Sequence, residues 1–388
     1  MSIVARSSTL FSLPSETFHT GRALTAGNTI MHLKLGHSRG RLVCEILAGS
    51  WRSAQPPTLN LSELQLDEVT PLLYGSGAAA LGWWRVRPTE LSATPSATVL
   101  HQAYRLLSLQ SALHEEKIQK IFHLLRSAGI EPILIKGWAA AGLYPERGLR
   151  PYGDIDLVVR PEQYDKAQAI IADPEATDCW VDLHKSISEL ADRPLNQLFD
   201  RAREVRLGIE SICVLSAEDQ LALLAVHLLK HGAWRPLWLC DIAAAIESLP
   251  PNFDWQLSLG RDRRRARWIT CAIGLAHILL GARVESLAID DQSTRLPGWL
   301  VATVLRQWQA PYVTNQPPTK HPVPISTQLR RPLGLWQGLR DRWPDPILAT
   351  VSVHGQFNRA PRFPYQVANC LVRVGQFLRR RPKVWREE

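Results

Sequence analysis

Apolar positions recur at three- and four-residue spacing through most of this chain, and the pattern changes in one central block. From Leu100 to Ala128, residues Tyr104, Leu107, Ile118, Ile121, Phe122 and Leu125 fall on one stripe, which predicts a long helix stopped by Gly129. Upstream, Leu42 to Arg87 is helical but interrupted: Pro56-Pro57 breaks the pattern, and Leu61-Ser62 opens a helix running toward Leu73. Downstream, Ser216-Ala-Glu-Asp219 resembles a capping box opening a helix from Ala217 to His231, which Gly232 ends. Further helices are predicted over Trp238 to Leu249, Arg267 to Leu280 and Val367 to Arg379.

The central block reads differently. Pro132 to Lys136, Tyr152 to Val159 and Cys179 to His184 are short apolar runs that predict strands. A short helix from Trp138 to Tyr144 lies between the first two, and Pro161 is suited to start another that ends near Ala172. Strands gathered in one block, with helices before and after, indicate an α+β fold: a small core plus helical N- and C-terminal regions. The expected segments are 1–30, 31–129 (helical), 130–215 (core), 216–310 (helical) and 311–388 (Pro-rich linker and basic helical tail).

Residues 1–30 carry Arg6, Arg22, many Ser and Thr and one acid, Glu16, a composition that also suits a transit peptide. The only methionines are Met1 and Met31, and helix-forming sequence begins after the second. A mis-assigned start codon or a disordered extension is therefore the preferred expectation.

Composition narrows the class. The 388 residues suffice for one large domain or two ordinary ones. No apolar run is long enough to span a bilayer; Cys271 to Ala282 is too short and contains His277. Six scattered cysteines with no Cys-x-x-Cys pair suit reduced thiols and a cytoplasmic location. The net charge of +9 concentrates in Arg261 to Arg267 and in the tail from Arg373 to Arg386. Such a tail can make weak contact with nucleic acid or an anionic membrane face. A solvated, arginine-rich surface gives the same composition and is preferred, since no aromatic-interleaved module accompanies the runs.

The chemistry lies in the strand block. Asp154 and Asp156, two apart on a predicted strand, project to the same side and repel unless a cation or a shared proton relieves them. A divalent metal is the usual solution. Lys136-Gly137 closes the first strand, where glycine lets backbone approach an anion and the next helix presents unpaired N–H groups. His227 and His231 share a helix face, but Leu228 stands where a zincin motif needs Glu, so zinc is disfavoured.

From about Asn60 to Asp241 the ordered set Leu134-Ile-Lys-Gly137, Leu143-Tyr-Pro145, Arg150-Pro-Tyr-Gly-Asp-Ile-Asp-Leu-Val158, Val181-Asp-Leu-His184, Leu215-Ser-Ala-Glu-Asp219, His227-Leu-Leu-Lys-His-Gly232 and Trp238-Leu-Cys-Asp241 resembles an uncharacterised bacterial nucleotidyltransferase family. That family is built on the polymerase-beta-type core, a small mixed sheet with flanking helices. The resemblance implies a transferase that moves a nucleoside monophosphate from an NTP, with ATP the expected donor, to an unknown acceptor: a small molecule, a protein side chain or an RNA end. It implies Asp154, Asp156 and Asp182 as ligands of Mg²⁺ or Mn²⁺, with Asp182 as general base. Lys136, Gly137, His184 and Lys230 would contact nucleotide or acceptor. Arg150 would grip a phosphate or else tie its loop to a carboxylate; His227 and Asp241 would pair as scaffolding. Two departures favour a non-catalytic nucleotide-binding scaffold as the alternative. Trp138 stands where the superfamily places Gly or Ser, and only 25 residues lie between Asp156 and Asp182, which predicts a shortened helix or a missing hairpin. A nucleic-acid-binding protein using the basic tail is a further alternative.

Overall fold

The computed structural model describes residues 39–54, 56–173, 180–284, 296–310 and 343–380. The expected extension over 1–30, the Pro-rich stretch 311–335 and the arginine-rich end beyond 380 lie outside the described residues.

Helix α1 covers residues 39–47. Helix α2 (Glu63–Ser76) starts where Ser62 and Gln65 exchange hydrogen bonds in a capping box, and Gly77, at φ +77°, stops it. After α3 (Ala79–Val86) comes α4 (Pro95–Ser127), which starts earlier than Leu100 because Thr94 caps it and proline occupies its first position. The strand block follows: β1 (Ile133–Ile135), α5 (Gly137–Ala141), β2 (Ile155–Val158), α6 (Tyr164–Ile171), β3 (Val181–His184), α7 (Leu195–Asp200), β4 (Arg203–Leu207) and β5 (Glu210–Val214). Helices α8 (Ala217–Lys230), α9 (Pro236–Glu247), α10 (Trp255–Leu259), α11 (Arg263–Leu280), α12 (Gly298–Trp308), α13 (Pro346–Ser352) and α14 (Phe363–Arg380) complete the described chain.

The sheet order is β3-β2-β1-β5-β4, with β1–β2 and β4–β5 antiparallel and β1–β5 and β2–β3 parallel. A small mixed sheet within an α+β fold is thus what the chain forms, and the β4–β5 hairpin adds two strands to the three expected. The link from β2 to β3 contains a 3₁₀ turn (Pro161–Gln163) and the eight-residue α6, enough to return the chain for a parallel strand.

Strand alternation divides the core. Leu134, Ile155 and Leu157 turn to one sheet face and pack with Ile118, Ile121 and Phe122 of α4. Ile133, Ile135 and Val158 turn to the other face, into a larger core shared with α2, α3, α8, α9 and α11. Asp156 alternates with Leu157 and therefore lies on that second face, opposite Ile135. There the helical layer leaves a cleft. No helix among the described residues is long and apolar enough to cross a membrane.

Candidate active site

The cleft has a volume of about 350 Å³ and runs between the sheet end and the facing ends of α8 and α9. Its sheet side is lined by Lys136, Gly137, the loop Arg150 to Asp154, Asp156 and Asp182; its helical side by Leu224, His227, Arg235 and Trp238.

Register brings the acids together. On the parallel pair β2–β3, Asp156 is the partner of Asp182 and Val158 that of His184. Asp182 and His184, two apart, share a face. His184 Nε2 lies 3.1 Å from Asp156 Oδ1 and 3.3 Å from Asp182 Oδ2, so one imidazole bridges both carboxylates. Asp156 is buried, whereas the Asp182 side chain is 60% exposed at the mouth. Asp154 is not on the strand; it occupies the bend just before β2, facing solvent in the same cleft.

These placements set the electrostatics. Desolvation by the cleft walls raises the Asp154 carboxyl above its ordinary value, and the charge of Asp156 adds to this. Burial pushes Asp156 the same way, but hydrogen bonding from His184 and the nearby Lys136 ammonium outweigh it and lower its pKa. His184 is raised in return, chiefly by its bond to Asp156. Lys136 Nζ sits 3.3 Å from Asp156 Oδ1. The lysine holds φ +55°, a conformation that L residues with side chains seldom adopt, and Gly137 follows at φ +29°. The strain turns the chain sharply out of β1 and sets the Gly137 Cα beside the Asp154 backbone, where an added Cβ would stand 3.5 Å from its carbonyl oxygen. Trp138 is half-buried against the core on the opposite sheet face, outside the cleft lining.

Two residues expected to contact nucleotide bond to carboxylates of the protein. Arg150 is buried: its Nε is 3.2 Å from both Asp241 oxygens, its Nη2 donates to Asp241 Oδ2 at 2.8 Å, and its Nη1 donates to the Pro151 carbonyl at 3.0 Å. The Tyr144 hydroxyl donates to Asp241 Oδ1 at 2.8 Å. Of the two roles expected for Arg150, the structure thus favours anchoring its loop to a carboxylate, one that comes from α9. Lys230 is absent from the cleft lining; it donates to Ser188 Oγ at 2.7 Å and to Glu189 Oε1 at 3.2 Å. Its ammonium is engaged there and not among the residues that line the cleft, where a triphosphate contact was expected. Burial would raise the Glu189 carboxyl, but His227, Lys230 and Lys136 outweigh burial and hold it well below the usual range. The expected His227–Asp241 pair is also corrected: Asp241 serves Arg150 and Tyr144, and His227 Nδ1 stands 3.8 Å from Glu189.

Residues 62–281, more than half of the chain, match one family model, that of the uncharacterised nucleotidyltransferases. The chain belongs to this nucleotidyltransferase family. No curated protein and no solved structure matched it. The nucleotidyltransferase match runs past Asp241 to the end of α11, so it takes in both walls of the cleft. Sequence reasoning placed the acids and the turn in one site but left out Arg235, Trp238 and the cleft role of His227. The available signal was the density of His and Trp from His227 to Trp238.

Proposed function

We propose that this protein is a divalent-cation-dependent nucleotidyltransferase that joins a nucleoside monophosphate from an NTP, ATP being the expected donor, to an acceptor and releases pyrophosphate. The observation that carries the reading is the pairing of Asp156 with Asp182 across adjacent parallel strands, in a cleft that also holds Asp154 and the Lys136-Gly137 turn. Asp156, Asp182 and His184 each offer a donor atom within 4.8 Å of the others. With the crowded Asp154 carboxyl beside them, this mostly hard-oxygen set fits Mg²⁺ or Mn²⁺. When bound, such an ion supplies charge stabilisation to the α-phosphate and to the attacking and leaving oxygens.

The chain's own groups account for the rest. Backbone N–H groups of the Gly137 turn and the Lys136 ammonium oppose triphosphate charge. Asp182, open at the mouth, is placed to take the proton of an acceptor hydroxyl. The acceptor oxygen then bonds to the α-phosphorus as the bond to the β-phosphate's bridging oxygen breaks. His184 Nε2 holds the Asp156 carboxylate at 3.1 Å, a contact it would exchange for the ion on becoming a ligand. A non-catalytic scaffold draws support from Trp138, which offers no hydroxyl to a phosphate.

The test is pyrophosphate release from each NTP with Mg²⁺ or Mn²⁺, using a lysate as acceptor source. Asp182→Ala should lower turnover by roughly 10²–10⁴-fold while leaving triphosphate binding nearly intact. NTP binding without turnover in the parent would favour the scaffold, and no NTP binding would overturn both.

A further inference from the structure

The wall opposite the acids has a different chemistry. It presents Leu224 and His227 of α8 and, at the start of α9, Arg235 and Trp238, with no carboxylate among them. Trp238 is half-buried although its neighbours Leu237 and Leu239 are fully buried. Its indole is braced on several sides: His227 stands 4.7 Å away at 75°, Trp234 5.4 Å at 69°, and His231 5.2 Å at 54°. The Arg235 guanidinium lies over the ring, 5.6 Å from its centroid, and is itself anchored by donation to the Ser76 carbonyl at 2.8 Å. A large ring fixed at a ligand cleft is a preorganised stacking surface, since binding it costs little side-chain entropy.

We infer that Trp238, backed by Arg235, is the platform on which the nucleobase of the NTP stacks. The inference rests on the nucleotidyltransferase reading of the same cleft and adds how the base is recognised. It also predicts weak base selectivity. Among the described residues that line the cleft there is no Asn, Gln, Ser or Thr, the Arg235 and His227 side chains pack on the Trp238 ring, and every base has a π-face. Purines should bind more tightly than pyrimidines through ring area alone. The site then admits both ATP and GTP.

The full chain, Trp238→Phe, Trp238→Leu and Trp238→Ala are compared by calorimetric titration with ATP, GTP, CTP, UTP and inorganic tripolyphosphate in Mg²⁺. Tripolyphosphate engages the phosphate side without a base. Trp238→Leu keeps apolar volume without a π-face and carries the test if the alanine variant does not fold. ATP affinity should fall about 5- to 150-fold in Trp238→Leu, the equivalent of roughly 1–3 kcal/mol of stacking. Tripolyphosphate affinity should stay within about twofold, and Trp238→Phe should lie between parent and leucine variant. Equal losses for both ligands, or none for ATP, would overturn the platform while leaving the nucleotidyltransferase reading intact. A parent that binds neither ligand would overturn that reading and this one with it. A preference above about 100-fold between ATP and GTP would show base-edge reading and refute the predicted tolerance.

Discussion

Replacing Arg150 should damage the protein first through stability and only then through its chemistry. The Arg150 side chain is 8% exposed and that of Asp241 0%, and Nε and Nη2 of the guanidinium hold the carboxylate, with Nη2 at 2.8 Å. Removing one member of a buried ion pair leaves the other charge without compensation, at a cost of about 3–5 kcal/mol. Asp241→Ala also strips the Tyr144 hydroxyl of its acceptor, so it belongs at the upper end. Arg150→Met leaves Tyr144 paired and keeps most of the side-chain volume, so it belongs at the lower end. Against a typical total of about 5–15 kcal/mol, either loss is a large fraction.

Urea unfolding followed by circular dichroism measures both variants and their double mutant. The double mutant should be markedly more stable than the sum of the single losses predicts, because neither charge is then buried alone. Single losses below about 1 kcal/mol, or strict additivity, would refute the structural role and return Arg150 to the phosphate contacts.

The two cleft aspartates should respond in opposite ways to Asn in metal-free buffer, although both substitutions should abolish cation-dependent turnover. Asp154 has a raised pKa, so its ionised form costs stability at neutral pH, and Asp154→Asn should melt at or above the parent temperature. Asp156 has a lowered pKa, a contribution present above the unfolded carboxylate value and lost as pH falls through the folded one; Asp156→Asn should melt lower at pH 7. Equal melting shifts would discount the electrostatics drawn from His184 and Lys136. His231, pushed down to about 4 mainly by burial, binds a proton less readily folded than unfolded. Its contribution is therefore present above an unfolded value of about 6.5 and lost as pH falls toward 4. His231→Phe should retain roughly 1–3 kcal/mol more of its neutral-pH stability at pH 4.5 than the parent does, read as a difference between denaturation curves. Asp345, raised by burial to about 6, has the opposite slope in that window, so only the difference isolates His231.

Where a local rule governs an element, the sequence specifies it closely. Ser62 and Ser216 cap the helices they were expected to open, and Gly129 and Gly232, at φ +75° and +76°, follow helix ends as expected. Strand lengths were overestimated because apolar runs continue into loops: Tyr152 and Gly153 precede β2 but join no ladder. The β4–β5 hairpin was missed although Glu204-Val-Arg-Leu207 alternates and Gly208 turns the chain at φ +59°. Its charged face, with Glu204 and Arg206 exposed, makes the segment resemble a loop. Only pairing with β5, which itself pairs with β1, turns it into sheet.

The site divides along the same line. Lys136-Gly137 and the acids are contiguous motifs, and strand alternation suffices to put Asp182 and His184 on one face. Partner choice is not local. Which cation Asp241 would receive depends on how α9 crosses the loop at Arg150, and which anion would claim Lys230 depends on where the chain carries Glu189. Charge type alone made both cations equally good phosphate ligands. Burial decides otherwise: a buried carboxylate needs a counter-ion, and Arg150 and Lys230 are the cations placed to supply it to Asp241 and Glu189. Asp241 and Glu189 therefore hold the two cations, Arg150 and Lys230, that the sequence motifs offered to a phosphate.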